Sequence, residues 1–375
     1  MKQLLLIGGG HTHVEVIRQI GRNPVSGVEV TLVSPDCMTP YSGMVPGWIA
    51  GHYDMADCHI DLERLIGWAR VKFVHGTVTG VDPVGKTARL ADGRGVKFDI
   101  ASIDIGSTPP IADVPGAADH AQSVKPVAPF IEWVEGLHAK VAAGDVERIA
   151  VVGGGAAGVE VLLAVRHRLV RKRASASVRF CVVTDTPTIL PGLNKRARRL
   201  FERWYGERDI EIIVGARVTS VSANGITLGD GRTVEAQAVV WATGAAPAHW
   251  PTLSGFAVDA KGFIAVDSML RSTSHPFIFA AGDIASMLDR PYPKSGVYAV
   301  RQGPVLAANL RAVLTEGKLT PFVPQKKALA LISAGRHYAI AARGRWAFGG
   351  RWVWRWKDRI DRKFMRKYQC GDRWV

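Results

Sequence analysis

Two glycine turns carry the residues best suited to chemistry. Near the start, KQLLLIGGGHTHVE (Lys2 to Glu15) runs an apolar strand into Gly8, Gly9 and Gly10 and leaves with helical spacing. Glycines there let the backbone approach a pyrophosphate, and the helix N-terminus aims its N–H groups at it. The third small position of G-x-G-x-x-G/A holds His13 instead. A second copy, RIAVVGGGAAGVEV (Arg148 to Val161), keeps the full spacing with Gly153, Gly155 and Gly158. Two such units predict two dinucleotides held in one chain.

The strand after each turn should end near a ribose. The first, Val28 to Ser34, ends at Ser34 with Asp36 two residues on; the second, Val178 to Asp185, ends at Thr184 and Asp185. An acid at Asp185 disfavours a 2′-phosphate, while Lys195, Arg196 and Arg198 close by could accept one. The loop Thr39 to Tyr53 is rich in Gly, Pro and aromatics. It reads as a surface loop or, with Pro40 and Tyr41 stiffening it, as a wall beside a flat ring. His11 and His13 stand at the mouth of the first helix. They either fill and cap the turn or hydrogen-bond near a phosphate or ring, where the helix dipole tunes them.

The elements that must position these residues follow from pattern. His59 to Trp68 reads as a short helix. Strands at Val71 to Val81, Thr87 to Asp99 and Ile100 to Ser107 make an antiparallel excursion. Pro109 to Pro126 reads as a crossing linker. A helix from Phe130 to Ala143 leads into the second glycine turn. The segment ASIDIGSTP, with Gly106 and Ser107, ends the first half as AVVWATGAAP, with Thr243 and Gly244, ends the second. HPFIFAAGDIA then supplies another apolar strand ending at Gly282 and Asp283, and Ser295 to Leu314 reads as a loop entering a helix.

The 375 residues suffice for two domains and a small third. Four cysteines without paired spacing indicate neither a disulfide framework nor a zinc site, so no metal is expected and a reducing cytoplasm is. No secretory leader is expected, since Leu4 to Ile7 is too short and leads straight into glycines, and no membrane span, since no uninterrupted apolar run reaches about 20 residues. The net charge is +15, of which +8 falls on residues 343–375, with eleven Lys and Arg against three Asp. Such asymmetry points to an anionic surface. Within it, Trp352, Trp356, Ile360, Phe364 and Tyr368 recur every four residues as one helical stripe. A tryptophan stripe flanked by cations suits a helix lying in a membrane interface; it would equally suit docking on the body of the protein or on a homodimer partner. Nucleic acid is not expected, as no nucleic-acid module accompanies the charge.

Taken in order, the glycine turns at Gly8 and Gly153, WATG at Trp241 to Gly244 and FAAGD at Phe279 to Asp283 resemble the two-dinucleotide-binding flavoproteins, the pyridine nucleotide-disulfide oxidoreductase superfamily. GGGHTH, TPYSGMVPG, SIDIGSTP, AVRQGP and the tail WVWRWKDRIDRKFM are similar to the type II NADH dehydrogenase-like flavoprotein found alone or fused ahead of selenophosphate synthetase. The resemblance implies an α/β chain with two Rossmann-like domains. FAD would be held by residues 1–112 and 247–322, NAD(P)H by an inserted domain at 113–246, and 323–375 would form a cap. It implies that Gly8, Gly9 and Gly10 hold the FAD pyrophosphate, that Asp283 meets the ribityl hydroxyls, and that Gln302 lies near the isoalloxazine. Glu160 would lie near nicotinamide and flavin. Tyr298 stands where quinone-reducing relatives often carry a second glutamine, and the thiol pair of disulfide reductases is missing. The implied activity is FAD-dependent NAD(P)H dehydrogenation, with NADH favoured and NADPH open. The acceptor is not specified: a quinone, a selenium, sulfur or ferredoxin-type acceptor, or none, as in a redox sensor. The location implied is cytoplasmic, either free or peripheral on the inner face of the cell membrane.

Overall fold

The computed structural model describes residues 1–171, 178–325 and 328–369. Two five-stranded parallel sheets organise them. In the first, Lys2–Ile7 lies between Val28–Ser34 and Ile100–Ile103; Lys72–His75 and Ile278–Ala280 complete the edges. Leu4 to Ile7 are all buried, as a parallel strand covered by helices on both faces requires. One edge strand comes from far beyond the second glycine turn, so the first sheet is built from two separate stretches of chain.

The second sheet repeats the plan, in the order Ala121–Ser123, Ala238–Trp241, Arg148–Val152, Arg179–Val183, Ile210–Ile213. Each half adds a three-stranded antiparallel ribbon, one starting at Val78–Asp82 and the other at Val218–Ser222. Where the chain crosses between halves, Thr108 and Ala246 pair through reciprocal backbone bonds of 3.1 and 2.8 Å. The two look-alike segments found in the sequence thus end against each other.

The expected helix over His59 to Trp68 is shorter. His59–Asp61 is a strand paired with Met38–Pro40, and the helix begins at Leu62, where Asp61 accepts the Arg64 N–H at 2.9 Å. That acid favours a helix cap over continuation of the helix. The aromatic loop before it, Thr39 to Tyr53, contains a short helix, Val45–Ile49.

The first helix, His11–Arg22, crosses the helix Gly296–Leu314 where a Cβ on Gly303 would lie 2.7 Å from Glu15 Cβ. The chain closes with an antiparallel sheet, Ala330–Ser333, Ala339–Arg343 and Trp346–Gly350, and a tail helix, Arg351–Gln369. The stripe predicted for this helix divides. Its later half docks: Tyr368 is buried, and Phe364 stacks on Tyr41 with ring centroids 4.3 Å apart. Its earlier half, Trp352, Trp356 and Ile360, faces solvent. The docked face contains Val353, Lys357, Asp361 and Met365, two of which are charged.

Candidate active site

The first glycine turn is held by a residue the sequence reading passed over. Asp104, just past the strand Ile100–Ile103, is buried, and its Oδ2 accepts the N–H groups of Thr12 at 2.8 Å and His13 at 3.1 Å. Gly8 has a φ of +92°, and a Cβ there would meet the Asp104 carbonyl oxygen at 2.5 Å; on Gly10 it would meet the carboxylate at 2.4 Å. Burial pushes the Asp104 pKa up to about 7 against the two backbone N–H bonds, with nearby Asp283 adding to the rise. An acid interrupting an apolar strand just before a glycine was the signal that could have found it.

The two histidines part company. His13 is fully buried, with Nδ1 2.7 Å from Gly8 O and Nε2 2.8 Å from Ser102 Oγ. As Gly8 O can only accept, Nδ1 carries the proton and Nε2 accepts from the serine. His13 therefore ties the turn to the sheet. His11 has its Nε2 buried without a partner, its ring edge-on to Tyr41 at 5.6 Å and 6.2 Å from Phe364. Burial, then the Lys125 charge, lowers its pKa to about 4 in spite of Asp283.

Around the same point, Gly282 N–H donates to Gln302 Oε1 at 2.7 Å, and Gln302 Nε2 donates to Tyr292 Oη. Gln302 is fully buried and thus fixes the turn bearing Asp283. Ser107 Oγ donates to Asp283 Oδ2 at 3.1 Å, and Lys125 Nζ lies 4.0 Å from that oxygen. Gly106 faces open space. Ser34 is buried behind Gly9, whose carbonyl accepts the Thr39 hydroxyl at 2.6 Å, and Pro40 sits in the small strand pair ahead of Tyr41. Asp36 is exposed. The expected first-site residues Gly8, Gly9, Gly10, His11, Tyr41, Gly106, Ser107, Gly282, Asp283 and Gln302 surround one cradle; His13, Ser34 and Pro40 support it from behind.

At the second turn a Cβ on Gly158 would lie 1.9 Å from Gly153 O, so close packing of helix on strand demands glycine there. Gly155 and Gly244 face open space, Thr184 is buried beside Gly154, Asp185 is exposed at the strand end, and Thr243 Oγ1 is buried without a partner. Arg198 is tied to Thr188 Oγ1 at 2.8 Å.

Glu160, one turn into the helix Ala156–Arg171, accepts the Ser333 N–H at 2.6 Å. Burial raises its pKa to about 7, offset by Lys357 and the Ser333 bond, with Asp361 adding to the rise. Lys357 and Asp361 come from the tail helix, paired at 2.6 Å; Lys357 also donates to Gly43 O, and Tyr41 Oη donates to Asp361 Oδ1 at 3.3 Å. Periodicity could not reveal these partners, because the pattern placed the tail's charges on solvent faces. Cys37 is partly exposed and Cys58 and Cys181 are buried; the last two thiols are pushed up, by burial first, to about 12 and 11. Cys370 lies outside the described residues. Among the described residues no group of three His, Cys, Asp or Glu could hold a metal.

These features fit two bound dinucleotides: two glycine turns at helix N-termini, open space at Gly106, Gly155 and Gly244, and two orphaned buried polar atoms, His11 Nε2 and Thr243 Oγ1. In FAD and a pyridine nucleotide, the flavin and nicotinamide rings supply the hydride chemistry.

Comparison with known proteins agrees. The chain is 25% identical over 332 residues to the NADH dehydrogenase-like protein YutJ of Bacillus subtilis, covering 87% of this chain and 88% of that one. It is 22% identical over 342 residues to the type II NADH:quinone oxidoreductase of Staphylococcus haemolyticus, covering 86% and 85%. The fold superposes on the sulfide:quinone oxidoreductase of Aquifex aeolicus with a TM-score of 0.83 at 18% identity, over 99% of this chain and 92% of that one. The family model of the pyridine nucleotide-disulphide oxidoreductases matches residues 2–303. The chain therefore belongs to the pyridine nucleotide-disulphide oxidoreductase family, as an FAD-dependent oxidoreductase of pyridine nucleotides.

Proposed function

We propose that this chain oxidises NADH and delivers the electrons to a quinone taken from a membrane surface. One observation carries the reading: the tail helix and the strand before it present an apolar, tryptophan-rich face to solvent, and the helix on its other side reaches the cradle. Trp346, Phe348, Trp352, Trp356 and Ile360 are 65, 44, 56, 40 and 40% exposed. Arg345, Arg351, Arg355 and Arg359, all exposed, flank them. Exposed tryptophans among arginines match the headgroup region of an anionic bilayer. The same helix places Phe364 against Tyr41 and His11, and Lys357 and Asp361 towards Glu160. A lipid-soluble acceptor would therefore have a short path. Among the described residues no helix is long and apolar enough to cross a membrane, so attachment would be peripheral, on the inner face of the cell membrane.

In this reading residues 1–112 and 247–322 hold FAD, 113–246 hold the nucleotide, and 323–375 cap the site. The strand Ile278–Ala280 completing the first sheet supports the division. Asp185, exposed at its strand end, favours NADH over NADPH. Gln302 positions the Gly282–Asp283 turn, and Glu160, close to neutral in pKa, supplies a proton to the reduced acceptor. A second reading has one observation in its favour. A groove of about 630 Å³ lined by Arg355, Arg359, Arg362 and Arg366, with Asp57 and Asp358 both ion-paired to Arg362, would suit an acidic protein acceptor.

The test uses the triple variant Trp352→Ser, Trp356→Ser, Ile360→Ser. The wild type should sediment with phosphatidylglycerol vesicles and the variant stay in solution, with NADH oxidation by a short-chain quinone kept by both. Equal sedimentation of the two proteins would reject membrane attachment. Turnover with an acidic iron–sulfur protein and none with any quinone would favour the second reading. The triple variant leaves Phe364 and Tyr368, which cover Tyr41 and Glu15, in place.

A further inference from the structure

The first helix meets its cofactor with an anion already in place. Asp104 Oδ2 takes the N–H groups of Thr12 and His13, the donors that the end of a helix offers to phosphate. The carboxylate also lies within 2.4 Å of where a Cβ on Gly10 or Gly282 would stand, so it wedges between the two turns that face the cradle. A pyrophosphate dianion arriving at that helix end must settle beside a buried acid. Resting on the assignment of FAD to this cradle, we propose that Asp104 is a positioning residue for the FAD pyrophosphate, and that the flavin cofactor binds together with a proton taken up by Asp104.

The other charged groups facing this point are few. From the first helix come His11 and His13, both brought down to about 4, by burial first, and so neutral from about pH 6 upward. From the turn after Ile278–Ala280 comes Asp283, and from the crossing segment Lys125, 4.0 Å from it. Glu15, further along the helix, is engaged by Arg18, Gln19, Lys367 and Tyr368. Asp104, raised to about 7, is left as the group whose charge an added dianion would shift within the working range. On protonation it changes from a competing anion into a hydroxyl able to donate to a phosphate oxygen.

The dianion raises the Asp104 pKa further, so the FAD-bound protein holds more protons than the free protein, and affinity falls as pH rises. Below about pH 7 the FAD dissociation constant should be flat; above it, it should rise by up to tenfold per pH unit.

The experiment follows free FAD by its fluorescence as full-length holoenzyme is diluted at pH values from about 6 to about 9. Wild type should show the rising limb and Asp104→Asn, which keeps an oxygen for Thr12 and His13, should not. Equal slopes in both proteins would overturn the assignment. For a readout on the unaltered chain alone, binding heats in two buffers of different ionisation enthalpy at about pH 7.5 should report uptake of a sizeable fraction of one proton per FAD. No uptake there would overturn the proposal even if the variant does not fold. A wild type that takes up no FAD at any pH would instead sink the cofactor assignment, and this inference with it.

Discussion

Tyr368 donates its hydroxyl to Glu15 at 2.7 Å, joining the end of the tail helix to the first helix across 353 positions. Lys367 Nζ, 2.6 Å from the same carboxylate oxygen, and Arg18 and Gln19 on the first helix complete the cage. The tail helix is thus part of the fold. Tyr368→Phe should cost about 1.5–3 kcal/mol, the range for a hydrogen bond to a charged group. Urea denaturation followed by tryptophan fluorescence checks this, and a loss under about 0.5 kcal/mol would contradict it.

The same cage predicts an acid response. Burial works to raise the Glu15 pKa, but bonds from Arg18, Lys367, Gln19 and Tyr368 outweigh it and bring it from 4.5 down to about 2. A carboxylate with a depressed folded-state pKa gives stability that is whole above its unfolded value and lost as pH falls through the folded one. The difference in melting temperature between wild type and Glu15→Gln should therefore hold steady above pH 4.5 and shrink towards pH 2. A difference that grows on acidification would refute the charge argument.

The two histidines at the glycine turn should respond with opposite signs. His13→Ala removes a buried ring, leaving a cavity and its partners Gly8 O and Ser102 Oγ unpaired, and should destabilise the protein by about 2–4 kcal/mol. His11→Leu removes an orphaned buried nitrogen, so the FAD-free chain should melt no lower than wild type while FAD is retained more weakly. Calorimetry with and without FAD separates the two; equal losses in the FAD-free state would undo the distinction.

Much of this was legible in the sequence because it is local. The glycine turns, the strand Val28–Ser34 and the second-half strands are written in runs of a few residues, and the order of motifs gave the two-sheet plan. Asp104, Thr39 and Ser102 were missed because their partners lie 30 to 92 residues away, and Tyr292 because its loop carries no period that would bring it to Gln302. The tail shows the limit best. Its period of four was right, but its buried face includes Lys357 and Asp361, a pair that neutralises itself and so can be buried where the pattern put only apolar rings.

Glu160 should shape the pH profile of turnover. With its pKa raised to about 7 by burial first, it is protonated below neutrality and ionised above. If it supplies the proton to the acceptor, turnover should fall as pH rises through about 7, and Glu160→Gln should lower kcat by about 10²-fold and flatten that limb. An unchanged profile in the variant would remove Glu160 from the chemistry.

In the function proposed above, one chain holds FAD in the Gly8 to Gly10 cradle and NADH at the second turn. Anaerobic addition of NADH to freshly purified protein, watched through the visible flavin band, tests it most directly. The protein should be yellow and should be bleached by one equivalent of NADH. A colourless protein that refuses added FAD, or a yellow one that NADH leaves unchanged, would contradict it.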